Sequence, residues 1–192
     1  MRRAAYAALG ALTLAGALSA CVPVMVAGAG AAAMVGSDRR TTGTYTDDQT
    51  FEVKLGAQIA EKVPGAHVNV SSFNRALLLT GEAPDEAARA QIDFLARALP
   101  GVRKVYNYVV VAPNSTLGNR LNDSGLGAKV RARLLQGQNF SSTHIKVVTE
   151  RGEVYLLGMV SEAEGLEAAQ LASETAGVLK VVTLYEYLDL SR

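Results

Sequence analysis

Tryptophan is absent, cysteine occurs once, and the 192 residues include only seven tyrosines and four phenylalanines. A single cysteine excludes an intramolecular disulfide, so folding must rest on packing. The scarcity of rings points to modest cores. An excess of one charge sign is also missing: the formal net charge is +1. Without a global basic field, general nucleic-acid binding has no support, and none is expected. Beyond the first 20 residues, long hydrophobic runs are lacking as well. The most apolar stretch after the first 20 residues, Val22 to Gly36, is too short and too glycine-rich for a transmembrane helix.

What is present begins at the N-terminus. Met1-Arg2-Arg3 precedes an Ala/Leu-rich stretch that ends in Leu18-Ser19-Ala20-Cys21. A basic start, a short apolar core and small residues before a cut describe a secretory signal peptide over 1–20. The Leu-Ser-Ala-Cys ending resembles the lipobox of bacterial lipoproteins, which implies cleavage before Cys21 and acylation of its sulfur and new amine. A buried free thiol is the alternative for a lone cysteine. Loss of Arg2 and Arg3 leaves a mature chain of about 170 residues with net charge about −1. Residues 21–46 then form a lipidated tether. Gly28, Ala32 and Gly36 recur at a small-xxx-small spacing that allows close helix packing near a membrane; a flexible tether on the lipid surface is the other reading. Gly28 to Ala33 mimics a dinucleotide fingerprint but lacks the strand–turn–helix frame that would give it meaning.

From about Asp47 an internal repeat appears. His67-Val68-Asn69-Val70 matches His144-Ile145-Lys146-Val147, Leu77 to Gly81 matches Val154 to Gly158, and Gly101 to Val105 matches Gly177 to Val181. Duplication explains the shared order and spacing. Each copy opens with an apolar stripe at helical spacing, Phe51/Leu55/Ile59 and Leu126/Val130/Leu134. Asp123 or Ser124 is the expected cap of the second stripe's helix. Alternating strands follow, with Val68, Val70, Leu77 and Leu79 sharing a face, as do Ile145, Val147, Val154 and Leu156. Asn74-Arg75 and Arg151-Gly152 read as tight turns between them. Asp85-Glu86 and Ser161-Glu162 start Ala-rich helices, and Gly101 and Gly177 read as their left-handed caps. A last strand runs over Val105–Val111 or Val181–Leu188. The expected fold class is α+β: two tandem domains, 47–112 and 123–192, joined by a linker at 113–122, each helix–strand–strand–helix–strand with two helices on one face of a small sheet. A core of about 65 residues supplies only about 3–5 kcal/mol alone, so the copies are expected to pack together.

The copies differ in charge. From Ser124 to Thr149 the chain has Lys129, Arg131, Arg133 and Lys146 and no acid, whereas the first copy's helix mixes Glu52, Lys54, Glu61 and Lys62. With Leu126, Val130 and Leu134 inward, Lys129 and Arg131 flank the stripe, Arg133 lies nearer the core edge, and Ala128, Ala132 and Leu135 face outward. On the residues alone this reads equally as a soluble helix with solvated cations or as a shallow contact with anionic headgroups. Gly125 and Gly127, placed in the first turn, leave no bulky ring to insert; Leu126 and Phe140 are the substitutes. His67 and His144 lack clustered ligands, so no metal is expected. Glu82, Asp85 and Glu86 answer a helix dipole better than they make an acid pair. Ser141 to His144 has no orienting acid, so no catalytic residue and no enzyme is expected. No cofactor is implied.

The strand ending in Gly81 or Gly158, the Gly-Val pairs at 101–102 and 177–178 and the Val105-Tyr106-Asn107 step resemble the BON domain of bacterial envelope proteins. Two such domains behind a lipobox resemble the dual-BON outer-membrane lipoproteins. That resemblance implies a periplasm-facing outer-membrane lipoprotein, anchored through Cys21, that supports envelope integrity and gathers at division sites. It implies that the second domain binds anionic phospholipid through its first helix, about 124–136, with Leu126, Lys129, Val130, Arg131, Arg133 and Leu134 as the contact residues. Val22 after the cysteine fits outward sorting. A protein-interaction module serving outer-membrane protein assembly is the competing function, with assembly proteins as partners.

Overall fold

The structure is a computed structural model that describes residues 38–188. The signal peptide, Cys21 and most of the tether lie outside the described residues.

Two small domains follow one plan. In the first, α1 (Thr42–Lys62) leads to the hairpin β1 (His67–Phe73) and β2 (Ala76–Ala83), then α2 (Glu86–Arg97), β3 (Lys104–Asn107) and the short β4 (Val110–Val111). In the second, α3 (Leu117–Leu134) leads to β5 (Ile145–Glu150) and β6 (Glu153–Val160), then α4 (Glu162–Ser173) and β7 (Lys180–Tyr187). The hairpin strands pair antiparallel, and the last strand crosses over to lie parallel to the hairpin's second strand, giving orders β1-β2-β3 and β5-β6-β7. The parallel pairing needs a long crossover, which α2 and α4 supply.

Turn and cap chemistry explain these boundaries. Asn74 and Arg75, and Arg151 and Gly152, all have positive φ, the requirement of a two-residue turn whose twist matches a hairpin. Asp85 caps α2 by accepting from the Ala88 N–H, and Ser161 and Glu164 form a capping box at α4. Gly101 and Gly177 do have the expected positive φ, 92° and 99°. Their role differs from a helix cap. Each is the third residue of a four-residue turn, Leu99–Val102 or Thr175–Val178, closed by a backbone bond of 3.3 or 3.1 Å, where φ > 0 favours glycine. Gly81 and Gly158 have a different necessity: a Cβ there would lie 2.1 Å from the His67 carbonyl oxygen or 2.7 Å from that of His144. The last strand of the first copy is broken where Asn107 Oδ1 accepts from the Val109 N–H at 3.1 Å; its counterpart runs unbroken.

Each sheet carries its two helices on one face. Phe51, Leu55 and Ile59 of α1 and Ile92, Leu95 and Ala96 of α2 close on Leu77 and Leu79. Val130 and Leu134 of α3 and Ala168 and Ala172 of α4 close on Val147, Val154 and Leu156. The opposite faces meet each other. Phe73 and Leu78 from the first sheet and Tyr155 and Leu157 from the second form a third buried cluster, with Tyr108 edge-on to Tyr155 at 4.9 Å between centroids. The layers therefore run helices, sheet, sheet, helices, and β2 is buried along its whole length. Polar bonds rim this seam: Asn69 Nδ2 donates to Glu150 at 2.8 Å, Asn74 Nδ2 to Glu186 at 2.7 Å, and Lys146 pairs with Glu52.

The chain enters the second helix–sheet boundary before α1 begins. Arg39 holds Glu164 through two bonds of 2.7 and 2.8 Å and also donates to the Met159 carbonyl. Arg40 pairs with Asp38 and Asp48 and lies over the Phe73 ring at 4.2 Å. The first helix begins at Thr42, so the end of the segment expected to be tether is folded structure.

Leu157→Ala should cost about 2–5 kcal/mol in urea unfolding, the range for emptying a well-packed leucine site. Arg39 is the largest influence on the Glu164 carboxyl and lowers it from 4.5 to about 2. A depressed carboxyl contributes stability that is full above its unfolded pKa and is lost as pH falls through the folded one. The stability gap between wild type and Glu164→Gln should therefore hold constant above about pH 5 and close between pH 4.5 and 2. A gap equally large at pH 2.5 and pH 7 contradicts this assignment.

Candidate functional site

The helix expected to be functional starts earlier than its sequence suggests. Thr116 is the N-cap, accepting from the Asn119 N–H at 3.2 Å, and α3 absorbs residues 117–122 of the expected linker. Asp123 is not a cap. It sits within the helix, buried, and accepts the N–H groups of Arg151 and Gly152 at 2.9 and 2.8 Å. Asp48 does the same in the first domain, accepting from the Asn74 and Arg75 N–H groups at 2.8 and 2.7 Å and from the Ser72 hydroxyl at 2.7 Å. Each carboxylate thus ties the first helix of its domain to the turn of its hairpin. The signal was present in the sequence: each Asp precedes its stripe by three residues, Asp48 before Phe51 and Asp123 before Leu126.

This start places Gly125 and Gly127 in the middle of the helix rather than in its first turn. A Cβ on Gly127 would come within 2.8 Å of Thr149 Oγ1, whereas Gly125 faces open space. Leu126, Val130 and Leu134 are only 8, 0 and 2% exposed. They seat the helix on its sheet, and lipid cannot reach them without opening the core. Phe140 packs against the same core, so neither Leu126 nor Phe140 serves as an inserting group.

The solvent face is different. Leu117, Leu121 and Leu135 are 72, 63 and 73% exposed, and Ala128 and Ala132 are exposed between them. With 3.6 residues per turn, these five lie along one stripe. Lys129 flanks it on one side; Ser124, Arg131 and Arg120 flank it on the other. The side chains of Lys129 and Arg131 have no hydrogen-bonded or ion-paired partner among the described residues. Arg133 bonds to Glu174 at 3.3 Å and Gln136 at 2.7 Å, and Lys146 is held by Glu52. Two of the four cations in the acid-free run are therefore neutralised by groups far away in sequence. Leu117, Arg120 and Leu121, within the expected linker 113–122, belong to α3, and Gly118-Asn119 masks that helix in the sequence.

Other candidate groups take structural places. Glu82 lies in β2, fully buried, not at a helix start; burial would raise its carboxyl, but the Ser115 N–H, His67 and Arg151 outweigh that and hold it below the usual range. Among the described residues, no cluster of three or more His, Cys, Asp or Glu is placed to hold a metal, and no helix is long and apolar enough to cross a membrane.

A duplicated helix–hairpin–helix–strand unit ending its hairpin in an obligatory glycine defines the class. The chain matches the BON domain over residues 47–113 and again over 122–188, and it belongs to the BON-domain family as a two-domain member. It is 35% identical over 175 residues to the outer membrane lipoprotein DolP of Haemophilus influenzae, covering 90% of this chain and 91% of that one. It is 32% identical over 158 residues to a 21 kDa hemolysin of Actinobacillus pleuropneumoniae, covering 79% and 80%. The solved structure of CdsD, a structural protein of the type III secretion system of Chlamydia trachomatis, aligns over 71% of this chain and 91% of that chain with 14% identity and a TM-score of 0.30, a score that carries no argument.

Asp123→Ala leaves the N–H groups of Arg151 and Gly152, in a partly exposed turn, without their carboxylate acceptor. It should cost about 2–4 kcal/mol: two bonds to a charged group contribute about 1.5–3 kcal/mol each, and water offsets part of the loss at this partly exposed turn. Asp123→Asn, which keeps one carbonyl acceptor, should cost less. Chemical denaturation of the three proteins checks the order.

Proposed function

We propose that this protein is an outer-membrane lipoprotein, anchored by acylation of Cys21 and facing the periplasm, whose second BON domain binds anionic phospholipid. Its role is to support envelope integrity, at division sites. The likeness to DolP, an outer membrane lipoprotein by name, supports the location. The observation that carries the lipid reading is the outer face of α3: three exposed leucines in one stripe, bordered by the unpaired Lys129 and Arg131. An apolar face of that width with cations at its margins suits a helix lying at the headgroup–acyl boundary.

The contact set shifts from the one expected. Lys129 and Arg131 remain, joined by Arg120 and by Leu117, Leu121 and Leu135. Leu126, Val130 and Leu134 act from beneath, and Arg133 is committed to Glu174.

Magnitudes divide the labour. Each basic residue near an anionic surface contributes about 1 kcal/mol, while buried acyl chains contribute about 0.8 kcal/mol per methylene. The acyl chains hold the protein on the membrane; the helix selects the lipid it rests on.

Vesicle co-sedimentation with the chain from residue 21 onward, carrying Cys21→Ser, tests this. Replacing Lys129 and Arg131 by Gln should weaken binding to anionic vesicles about 30-fold, and Leu121→Glu with Leu135→Glu should abolish it. Arg133→Gln should change it little. Binding that is indifferent to lipid charge and unchanged in both double variants sinks the lipid reading and leaves a protein partner as the function of this face.

A further inference from the structure

The flank of α3 that carries Arg120, Ser124 and Arg131 faces an open recess rather than a flat surface. It forms one wall of a cavity of about 310 Å³. Thr149, at the end of β5, forms the floor, and the opposite wall belongs to the first domain, through His67 and Asn69 of β1. We infer that this cavity between the two domains takes the phosphodiester headgroup of a lipid whose acyl chains lie along Leu117, Leu121 and Leu135, so that the lipid site is composite and includes the first BON domain. This inference rests on the lipid reading of α3.

Hydrogen-bonding capacity is the first argument. The guanidinium of Arg131 has no partner among the described residues, and that of Arg120 spends only its Nε, on Ser115 Oγ at 3.2 Å. A guanidinium offers five donors in a fork that matches phosphate oxygens. The Thr149 hydroxyl is buried without a hydrogen-bond partner among the described residues, and such groups are ordinarily satisfied by protein, water or ligand. The two carboxylates in the wall are held by donors, Asp123 through both oxygens and Glu150 through its Oε2. Asp123 accepts the Arg151 and Gly152 N–H groups, and Glu150 accepts from Asn69 at 2.8 Å and Thr80 at 3.3 Å. The cavity thus presents spare donors, the chemistry of an acceptor-rich ligand.

Position is the second argument. Arg120, Ser124 and Arg131 form the border between the cavity and the exposed leucines. A lipid lying against this border has its tails on the apolar stripe and its phosphate at the guanidinium groups. The volume is at the small end of ligand pockets, about 300–1,000 Å³, and the polar lining suits a headgroup rather than a chain. Gly127 keeps it open: a side chain there would collide with Thr149 Oγ1 at 2.8 Å. A free phosphate shares the headgroup's chemistry, but the adjoining leucines favour the membrane as its source.

The test uses the chain from residue 21 with Cys21→Ser. Amide and Asn side-chain NMR shifts are followed during titration with short-chain phosphatidylglycerol, with phosphatidylcholine, and with inorganic phosphate. We expect Asn69 and His67 of the first domain to shift together with Thr149 and Arg131, and selectively with phosphatidylglycerol. Thr149→Val should weaken binding to phosphatidylglycerol vesicles about five- to tenfold, and Thr149→Ser should restore it. Unchanged binding in Thr149→Val with no shift at Asn69, while Leu121→Glu still abolishes binding, overturns the cavity and leaves the helix reading standing. Loss of neither variant's binding overturns both. Saturable shifts with inorganic phosphate and none with lipid assign the cavity to a free anion and overturn the headgroup.

Discussion

The back faces of the two sheets are apolar, and neither can be left in water. Leu78 and Leu157 are fully buried only because each sheet covers the other. A three-stranded sheet with helices on one side hides half its surface; the other half needs a partner. The duplicated copy supplies one of the same shape. Everything outward follows from this contact. Both helical layers are forced to the outside, α3 is presented to solvent along its length, and β1 of one domain comes beside α3 of the other. The pairs Lys146–Glu52 and Arg151–Glu82 then lie across the seam, where sheltered charges must be matched.

That contact, together with the packing of α4 beside α3, explains which cations are paired. Divergence of the copies left residues 124–149 without acids, but charge in sequence is not charge in space. Glu52 comes to Lys146 from the other domain, and Glu174 comes to Arg133 from α4. Lys129 and Arg131 make no ion pair among the described residues; the carboxylates that share Arg131's cavity, Asp123 and Glu150, accept from other donors. The run 124–149 holds four cations; the fold leaves two of them without an ion-pair partner among the described residues.

Much of this was readable from residues alone, for definite reasons. The turns at Asn74-Arg75 and Arg151-Gly152 need positive φ, and the caps Asp85 and Ser161 stand immediately before helical stripes, so local chemistry decides both. The sharing of a face by Leu77 and Leu79, or Val154 and Leu156, follows from strand alternation. The start of α3 was not readable, because Gly118 and Asn119 look like linker and Asp123-Ser124 looks like a cap. What overrides them is tertiary: Thr116 caps from further back, and Asp123 is recruited by a turn nearly 30 residues away. The role of Leu78 as interdomain core needed the partner sheet, and the cavity beside Arg131 needed both domains in place.

The clamp of Arg39 on Glu164 has a consequence for search and sampling. It holds Arg39 on the folded body close to the seam, and the contour length of residues 21–38 bounds the separation of Cys21 from Arg39 at about 60 Å. With Cys21 acylated as proposed, the headgroup-reading face is confined to a shell of that radius around its own anchor. Confinement by a short linker corresponds to an effective concentration in the millimolar range. A contact too weak to recruit the protein from solution is then occupied much of the time. On the proposed lipid reading, the protein would diffuse in the plane with its lipid preference engaged, and its distribution over the membrane would report local lipid composition by residence time rather than by capture.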